Sequence, residues 1–97
     1  MKVENVEKTL WYGISFTARK DAMICDGSRI DFSPKDADEA REIALAMMTC
    51  ARYLYGDADS ADAEKARDFL KERMNEEPTV SLARAMRELD SNLEKPA

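Results

Sequence analysis

Histidine is absent from this 97-residue sequence, and glycine and cysteine are scarce. Without histidine, no Ser-His-Asp or Cys-His catalytic arrangement can be assembled. The three glycines stand alone at positions 13, 27 and 56, which excludes a glycine-rich phosphate-binding loop. Cys25 and Cys50 lie far apart with no CxxC spacing, so we expect reduced, buried thiols rather than a zinc site. The sequence therefore predicts no catalysis, no metal and no cofactor.

Long apolar segments are also missing. The longest stretches without a charged residue are 9–18 and 43–51, and both are too short to cross a bilayer. The opening residues, MKVENVEK, carry acids where a signal peptide is apolar. We expect a cytoplasmic protein without membrane contact. Hydrophobic residues make up 44% of the chain, enough for the small core of one domain over residues 1–97.

Acidic residues are in excess, and their distribution is uneven. The net charge is −5, and residues 36–97 hold fifteen Asp and Glu against nine Lys and Arg. Residues 1–35 are close to neutral. Because a negative surface repels phosphate, we expect no direct binding to nucleic acid. The excess charge favours a basic partner instead.

The first third of the chain has the pattern of β-strands. Residues 9–17, TLWYGISFT, are rich in aromatic and β-branched residues that alternate between two faces. Asp26-Gly27 lies between short apolar runs at about 22–25 and 29–32, which is a strong hairpin signal. The sequence thus predicts an antiparallel meander of three strands within residues 1–35.

A long helix is predicted next. Ser33-Pro34 ends the sheet, and Asp36 and Glu39 have the spacing of a capping box. Gly56 can end the helix because glycine adopts positive φ without strain. One apolar stripe at helical spacing joins Ala40, Ile43, Ala44, Met47, Ala51 and Leu54.

Two further helices follow. One is expected from about 60 to 75 and is broken by Pro78. The other is expected over about 79–93, with a frayed tail from about 94. The predicted fold class is α+β, in the order βββααα, with three helices packed on one face of the three-stranded sheet.

An acid-rich stretch, YGDADSADAEKARDF at 55–69, can be interpreted in three ways. As a calcium loop beginning at Asp57 it fails, because Ala61 stands at the fifth position and Asp62 where an EF-hand requires glycine. Helix capping explains single carboxylates, since the helix dipole favours a negative charge there by about 0.3–1 kcal/mol. Capping does not explain Asp57, which precedes the cap, or Glu42, which lies beyond the first turn of its helix.

The third interpretation is a functional anionic surface. Carboxylates one helical turn apart, such as Asp38 and Glu42 at about 6 Å, can present a row of charge comparable to a nucleic-acid backbone. Such a row would compete for a DNA-binding channel, with Trp11, Tyr53 or Tyr55 as apolar anchors if they are not in the core. The candidate partner-binding residues are Asp36, Asp38, Glu39, Glu42, Asp57, Asp59, Asp62 and Glu64, followed by Asp26 and Asp31.

In size, charge and organisation the whole chain resembles the small phage-encoded anti-CRISPR proteins that act on type I surveillance complexes. The likeness rests on the segment AMICDGSRIDF and on the acid-capped helices DADEAREIALAMMTCARYLYG and DADSADAEKARDFL. It implies a non-catalytic inhibitor in the host bacterial cell. That inhibitor would mimic DNA and occupy the basic DNA-binding surface of a CRISPR RNA-guided complex. We expect a monomer.

Two other functions remain open. The segment PTVSLARAMREL looks like part of a helix-turn-helix in which Arg84 and Arg87 meet phosphate or base edges. This favours a small DNA-binding transcriptional regulator acting through helix 79–93, although a packing helix with solvated arginines explains the same pattern. The third candidate is an adaptor whose apolar surface docks a partner helix.

Overall fold

The computed structural model describes the backbone of residues 8–11, 14–18 and 23–25, and residues 31–94 apart from the side chain of Ala37. Three helices dominate residues 31–94: α1 (Ala37–Leu54), α2 (Ser60–Arg73) and α3 (Val80–Glu94). Ahead of them the backbone forms three short antiparallel strands paired in chain order: β1 (Lys8–Trp11), β2 (Ile14–Ala18) and β3 (Met23–Cys25).

The predicted fold class is wrong for the part of the chain whose side chains are described. Three quarters of residues 31–94 are helical and no strand occurs among them, so this body is all-α and not a βββααα fold of the α+β class. The third strand expected at 29–32 is not formed where the structure describes it. Residue 31 is helical, and Phe32 makes only an isolated bridge to Met74.

Strand β3 lies within the strand predicted at about 22–25, but the prediction for residues 9–17 needs correction. The single strand expected over 9–17 is divided between β1 and β2, which pair with each other from Lys8 opposite Thr17 to Trp11 opposite Ile14. The hairpin expected at 26–27 lies outside the described residues.

Tertiary packing explains the error at 29–32. A run as short as RIDF does not distinguish an extended strand from a buried connecting segment, because strand preference mostly reports how a side chain packs. In the structure Phe32 is fully buried in the hydrophobic core, and the carboxylate of Asp31 is hydrogen bonded to Thr79. Contacts with residues more than forty positions away therefore set this segment.

Helix α1 begins at the predicted cap. The Asp36 carboxylate accepts a hydrogen bond from the Glu39 backbone N–H at 2.8 Å. The Glu39 carboxylate accepts from the Lys35 N–H at 2.9 Å, one residue before the position that a capping box uses. The N-terminal cap of α1 is therefore confirmed, with this shift of one residue.

Helix α1 also ends where predicted, in a Schellman motif. Gly56 has a φ of 84°, its N–H donates to the Tyr53 carbonyl at 3.0 Å, and the Asp57 N–H donates to the Arg52 carbonyl at 2.7 Å. Both hydrogen bonds satisfy carbonyls that the helix leaves open. The chain leaves α1 in a defined direction.

The buried side chains of the core pack around α1. Only a narrow stripe along this helix is exposed. Helices α1 and α2 pack extensively against each other, and α3 closes on both. Each large apolar side chain buried in this way contributes about 1.5–3 kcal/mol. The largest fully buried apolar side chains are Phe32, Ile43, Met47, Leu70, Leu82 and Leu89.

Helices α2 and α3 begin at side-chain caps and are separated by Pro78. Asp59 caps α2 by accepting from the Asp62 N–H at 2.9 Å. Helix α2 ends at Arg73, slightly earlier than expected, and Thr79 caps α3 by accepting from the Leu82 N–H at 3.2 Å. No helix within the described residues is long and apolar enough to cross a membrane.

Candidate partner-binding surface

Four of the predicted site carboxylates lie at the turn between α1 and α2 and in the first turns of α2: Asp57, Asp59, Asp62 and Glu64. We refer to these four as the acidic turn. The Schellman motif at Gly56 and the cap at Asp59 fix the backbone on both sides of Asp57. The acidic turn is therefore held in one conformation before any partner binds.

The carboxylates of the acidic turn are all exposed. None of them forms an ion pair with any residue in the described part of the chain. Asp59 is engaged by its capping hydrogen bond, whereas Asp57 and Asp62 accept no side-chain hydrogen bond from a described residue. Asp62 stands in the first turn of α2, where the helix dipole favours its charge, whereas Asp57 has no such role in the described structure. Both carboxylates remain exposed and able to contact a partner.

Glu64 points to a different side of α2 from Asp62. Residues two positions apart in a helix do not face each other. The negative charge of Glu64 acts instead on Arg67, which also hydrogen bonds to Asp68 at 3.1 Å. Partial burial lowers the pKa of Arg67. The hydrogen bond to Asp68 and the negative charges of Asp68, Asp90 and Glu64 raise it by more, so the pKa lies above its usual value.

The other four predicted residues lie at the start of α1, and part of their charge is compensated within the chain. Asp38, whose side chain is 90% exposed, pairs with Arg41 at 3.1 Å. Glu39, whose side chain is only 19% exposed, pairs with Arg73 at 3.4 Å. Asp36 is engaged as the cap of α1. Glu42 alone in this group is exposed with neither an ion pair nor a hydrogen bond to a described residue.

The structure does not bring the two groups of acids together. Helix α1 has 18 residues and is about 27 Å long. Its start lies beside the end of α2, as the ion pair between Glu39 and Arg73 shows. Since α2 runs back along α1, the acidic turn lies at the opposite end of this helical hairpin. A single continuous ridge of all eight carboxylates is not present.

The aromatic residues proposed as anchors differ in exposure. Tyr55 is 73% exposed and directly precedes Gly56 and the acidic turn. Tyr53 is partly buried against the core, and its hydroxyl donates to the Asn92 carbonyl at 3.4 Å. The side chain of Trp11 lies outside the described residues. Of the two aromatic side chains that the structure describes here, Tyr55 is the exposed one.

The two arginines of the alternative hypothesis lie on the outer face of α3. Arg84 and Arg87 are exposed, and within residues 31–94 neither forms an ion pair. By contrast, Arg41, Arg67 and Arg73 each pair with an acid. The connection before α3, at 74–79, contains no glycine and includes two exposed glutamates at 76 and 77.

Asp31 was expected to be a secondary candidate on the surface, and this is wrong. Its side chain is 1% exposed, and its carboxylate accepts from the N–H and the hydroxyl of Thr79. Nothing in the local sequence indicates this contact, because the two residues are 48 positions apart. Asp26 lies outside the described residues.

Cys50 is a free cysteine whose side chain is buried in the core. Burial raises the pKa of the Cys50 thiol to about 12, so it is protonated at neutral pH. The side chain of Cys25 is outside the described residues. In the region that the structure describes, no group of three Cys, Asp or Glu side chains is arranged to hold a metal ion.

Over residues 31–94 the structure is a small helical body with an acidic turn at one end of a helical hairpin and an arginine-bearing face on its third helix. Comparison with protein-family models, with curated proteins and with solved structures finds no match to this chain.

Proposed function

We propose that this protein is a non-catalytic inhibitor that binds a basic, nucleic-acid-binding surface of its partner through the acidic turn. The resemblance to anti-CRISPR proteins supports a type I CRISPR RNA-guided complex as that partner, in the cytoplasm of a host bacterial cell. The observation that carries the proposal is the exposed, unpaired charge of Asp57 and Asp62 on a fixed backbone.

The size of the acidic turn limits what it can imitate. Duplex DNA carries one negative charge per about 1.7 Å of axis, so even four carboxylates would correspond to only about 7 Å, or about two base pairs. Since Glu64 faces a different side of α2 from Asp62, the row is shorter still. The acidic turn would therefore replace DNA at one point of a binding channel rather than along its length. The four acids at the start of α1 are too distant to extend the same contact.

Attraction between charges sets the rate of encounter more than the final affinity. A specific complex also needs a buried contact near its centre, where tyrosine is one of the most effective residues. Tyr55 is exposed directly beside the acidic turn and supplies this contact. The proposed interface is thus one aromatic side chain with carboxylates around it.

The test is a competition experiment with a purified type I surveillance complex and labelled target duplex. The wild-type protein is expected to displace the duplex, less effectively as salt rises. The double variant Asp57→Lys, Asp62→Lys should need at least about ten times more protein, since each desolvated charge contact is worth more than 1 kcal/mol.

The matched control is Glu88→Lys, Glu94→Lys, which makes the same change in net charge on exposed positions of α3. This control should compete like the wild type. Equal loss in both double variants would show an effect of net charge only. Competition that is insensitive to salt would favour the adaptor with an apolar interface.

A second candidate function has its own observation. Arg84 and Arg87 lie one helical turn apart on the exposed face of α3, without an ion pair to a described residue. A DNA-binding regulator would use them for phosphate or base contacts. Duplex binding that is weakened by Arg84→Ala and by Arg87→Ala, but not by Asp57→Lys, would favour this function over the first.

A further inference from the structure

Among the described residues, Asp31 is the one charged residue whose side chain is buried. Its carboxylate accepts hydrogen bonds from the backbone N–H of Thr79 and from the Thr79 hydroxyl, the latter at 3.1 Å. Its carbonyl accepts from the Asn75 N–H at 2.7 Å. One residue thus holds both ends of the connection between α2 and α3.

Thr79 connects Asp31 to the first turn of α3. Its hydroxyl donates to Asp31 and accepts from the Leu82 N–H at 3.2 Å, so the same oxygen caps the helix. Hydrogen bonds to an ionised group are stronger than those between neutral groups. A cap that is itself bonded to a buried carboxylate has its rotamer fixed, and the first turn of α3 is fixed with it.

The other end of α3 is attached independently. Asp90 pairs with Lys71 at 2.8 Å and with Arg67 at 3.5 Å, and the Asn92 carbonyl accepts from Tyr53. None of these contacts involves Asp31 or Thr79. The two ends of α3 are therefore held by separate sets of polar contacts, while Leu82, Ala85 and Met86 pack into the core between them.

We propose that Asp31 and Thr79 form a latch that holds the N-terminal half of α3 on the α1–α2 hairpin. Opening the latch releases this half of α3 while the hairpin and the contacts of Asp90 remain. The exposed arginines Arg84 and Arg87 lie on the segment that the latch controls. The latch thus sets whether this arginine-bearing face is presented in a fixed orientation.

Native-state hydrogen exchange on the full chain tests the latch. Thr79→Val removes the hydroxyl and keeps the backbone N–H. It should lower the protection of the amides at 82–86 by roughly ten- to a hundredfold, which is the worth of a hydrogen bond to a charged group. The amides of α1 and α2 should keep their protection, and Thr79→Ser, which retains the hydroxyl, should behave like the wild type.

Asp31→Asn tests the other side of the same contact and should open the same amides. If it fails to fold, Asp31→Glu takes its place, because Thr79→Val also removes the cap on the Leu82 N–H and lowers protection at 82–86 without any latch. Equal loss of protection in all three helices would overturn the proposal, because the contact would then belong to one global unfolding unit. Unchanged protection at 82–86 in Thr79→Val would overturn it as well.

Discussion

Exchanging single acids in the α1–α2 turn for alanine separates carboxylates that hold the fold from carboxylates that remain for a partner. Asp59 and Asp57 are two residues apart and both exposed, but only Asp59 accepts a capping hydrogen bond, from the Asp62 N–H at 2.9 Å. Asp59→Ala leaves that N–H without its partner. Asp57→Ala removes a carboxylate with no hydrogen bond to a described residue.

The magnitudes follow from these contacts. Loss of a helix cap costs about 1 kcal/mol, within a range of about 0.5–2 kcal/mol. For a chain of this size, this corresponds to a decrease in Tm of about 4–8 °C. An exposed substitution that breaks no such contact stays within about 0.5 kcal/mol. Asp59→Ala is therefore expected to destabilise the protein measurably and Asp57→Ala is not.

Urea unfolding followed by far-UV circular dichroism measures both variants. The midpoint should move in Asp59→Ala with an unchanged m-value, which shows that stability and not compactness has changed. Asp59→Asn is the matched control, because asparagine caps helices as well as aspartate. An equal cost for Asp57→Ala, or a neutral Asp59→Ala, would refute the division of the acidic turn into capping and free acids.

Further predictions concern the turn, the core and the buried thiol. Gly56→Ala should cost about 1–2 kcal/mol in thermal melts through backbone strain alone, because φ is 84° and no atom lies within 4 Å of the added Cβ. Leu70→Ala should cost about 2–5 kcal/mol in urea unfolding because Leu70 is fully buried, whereas Leu45→Ala, at a site 47% exposed, should cost far less. Burial raises the Cys50 pKa from its usual 9.0 to about 12, so the unfolded chain loses this proton first and stability should fall from about pH 9 to pH 12. This decrease should be smaller in Cys50→Ala, and identical pH profiles would contradict it.

The helix boundaries were predictable because their signals are local. The cap at Asp36, the positive φ at Gly56 and the break before Pro78 each depend on a few neighbouring residues. The segment at 29–32 was not predictable in this way. Its conformation depends on the burial of Phe32 and on the hydrogen bonds between Asp31 and Thr79.

The candidate surface, too, was only partly predictable from local sequence. Sequence identifies which carboxylates stand near helix starts, but it does not show which of them are compensated. The ion pair between Glu39 and Arg73 joins residues 34 positions apart and removes one predicted acid from the free set. The antiparallel arrangement of α1 and α2 separates the remaining acids into two groups. Both the ion pair and the separation of the acids depend on how the helices pack, which the sequence alone does not show.

A hydrogen-exchange footprint of the protein bound to a purified type I surveillance complex tests the central claim most directly. Burial of the acidic turn predicts slower exchange on binding at residues 57–64 and little change over 80–94. Slower exchange confined to 80–94, or no change at 57–64 in a complex that has formed, would contradict the proposal that the acidic turn is the binding surface.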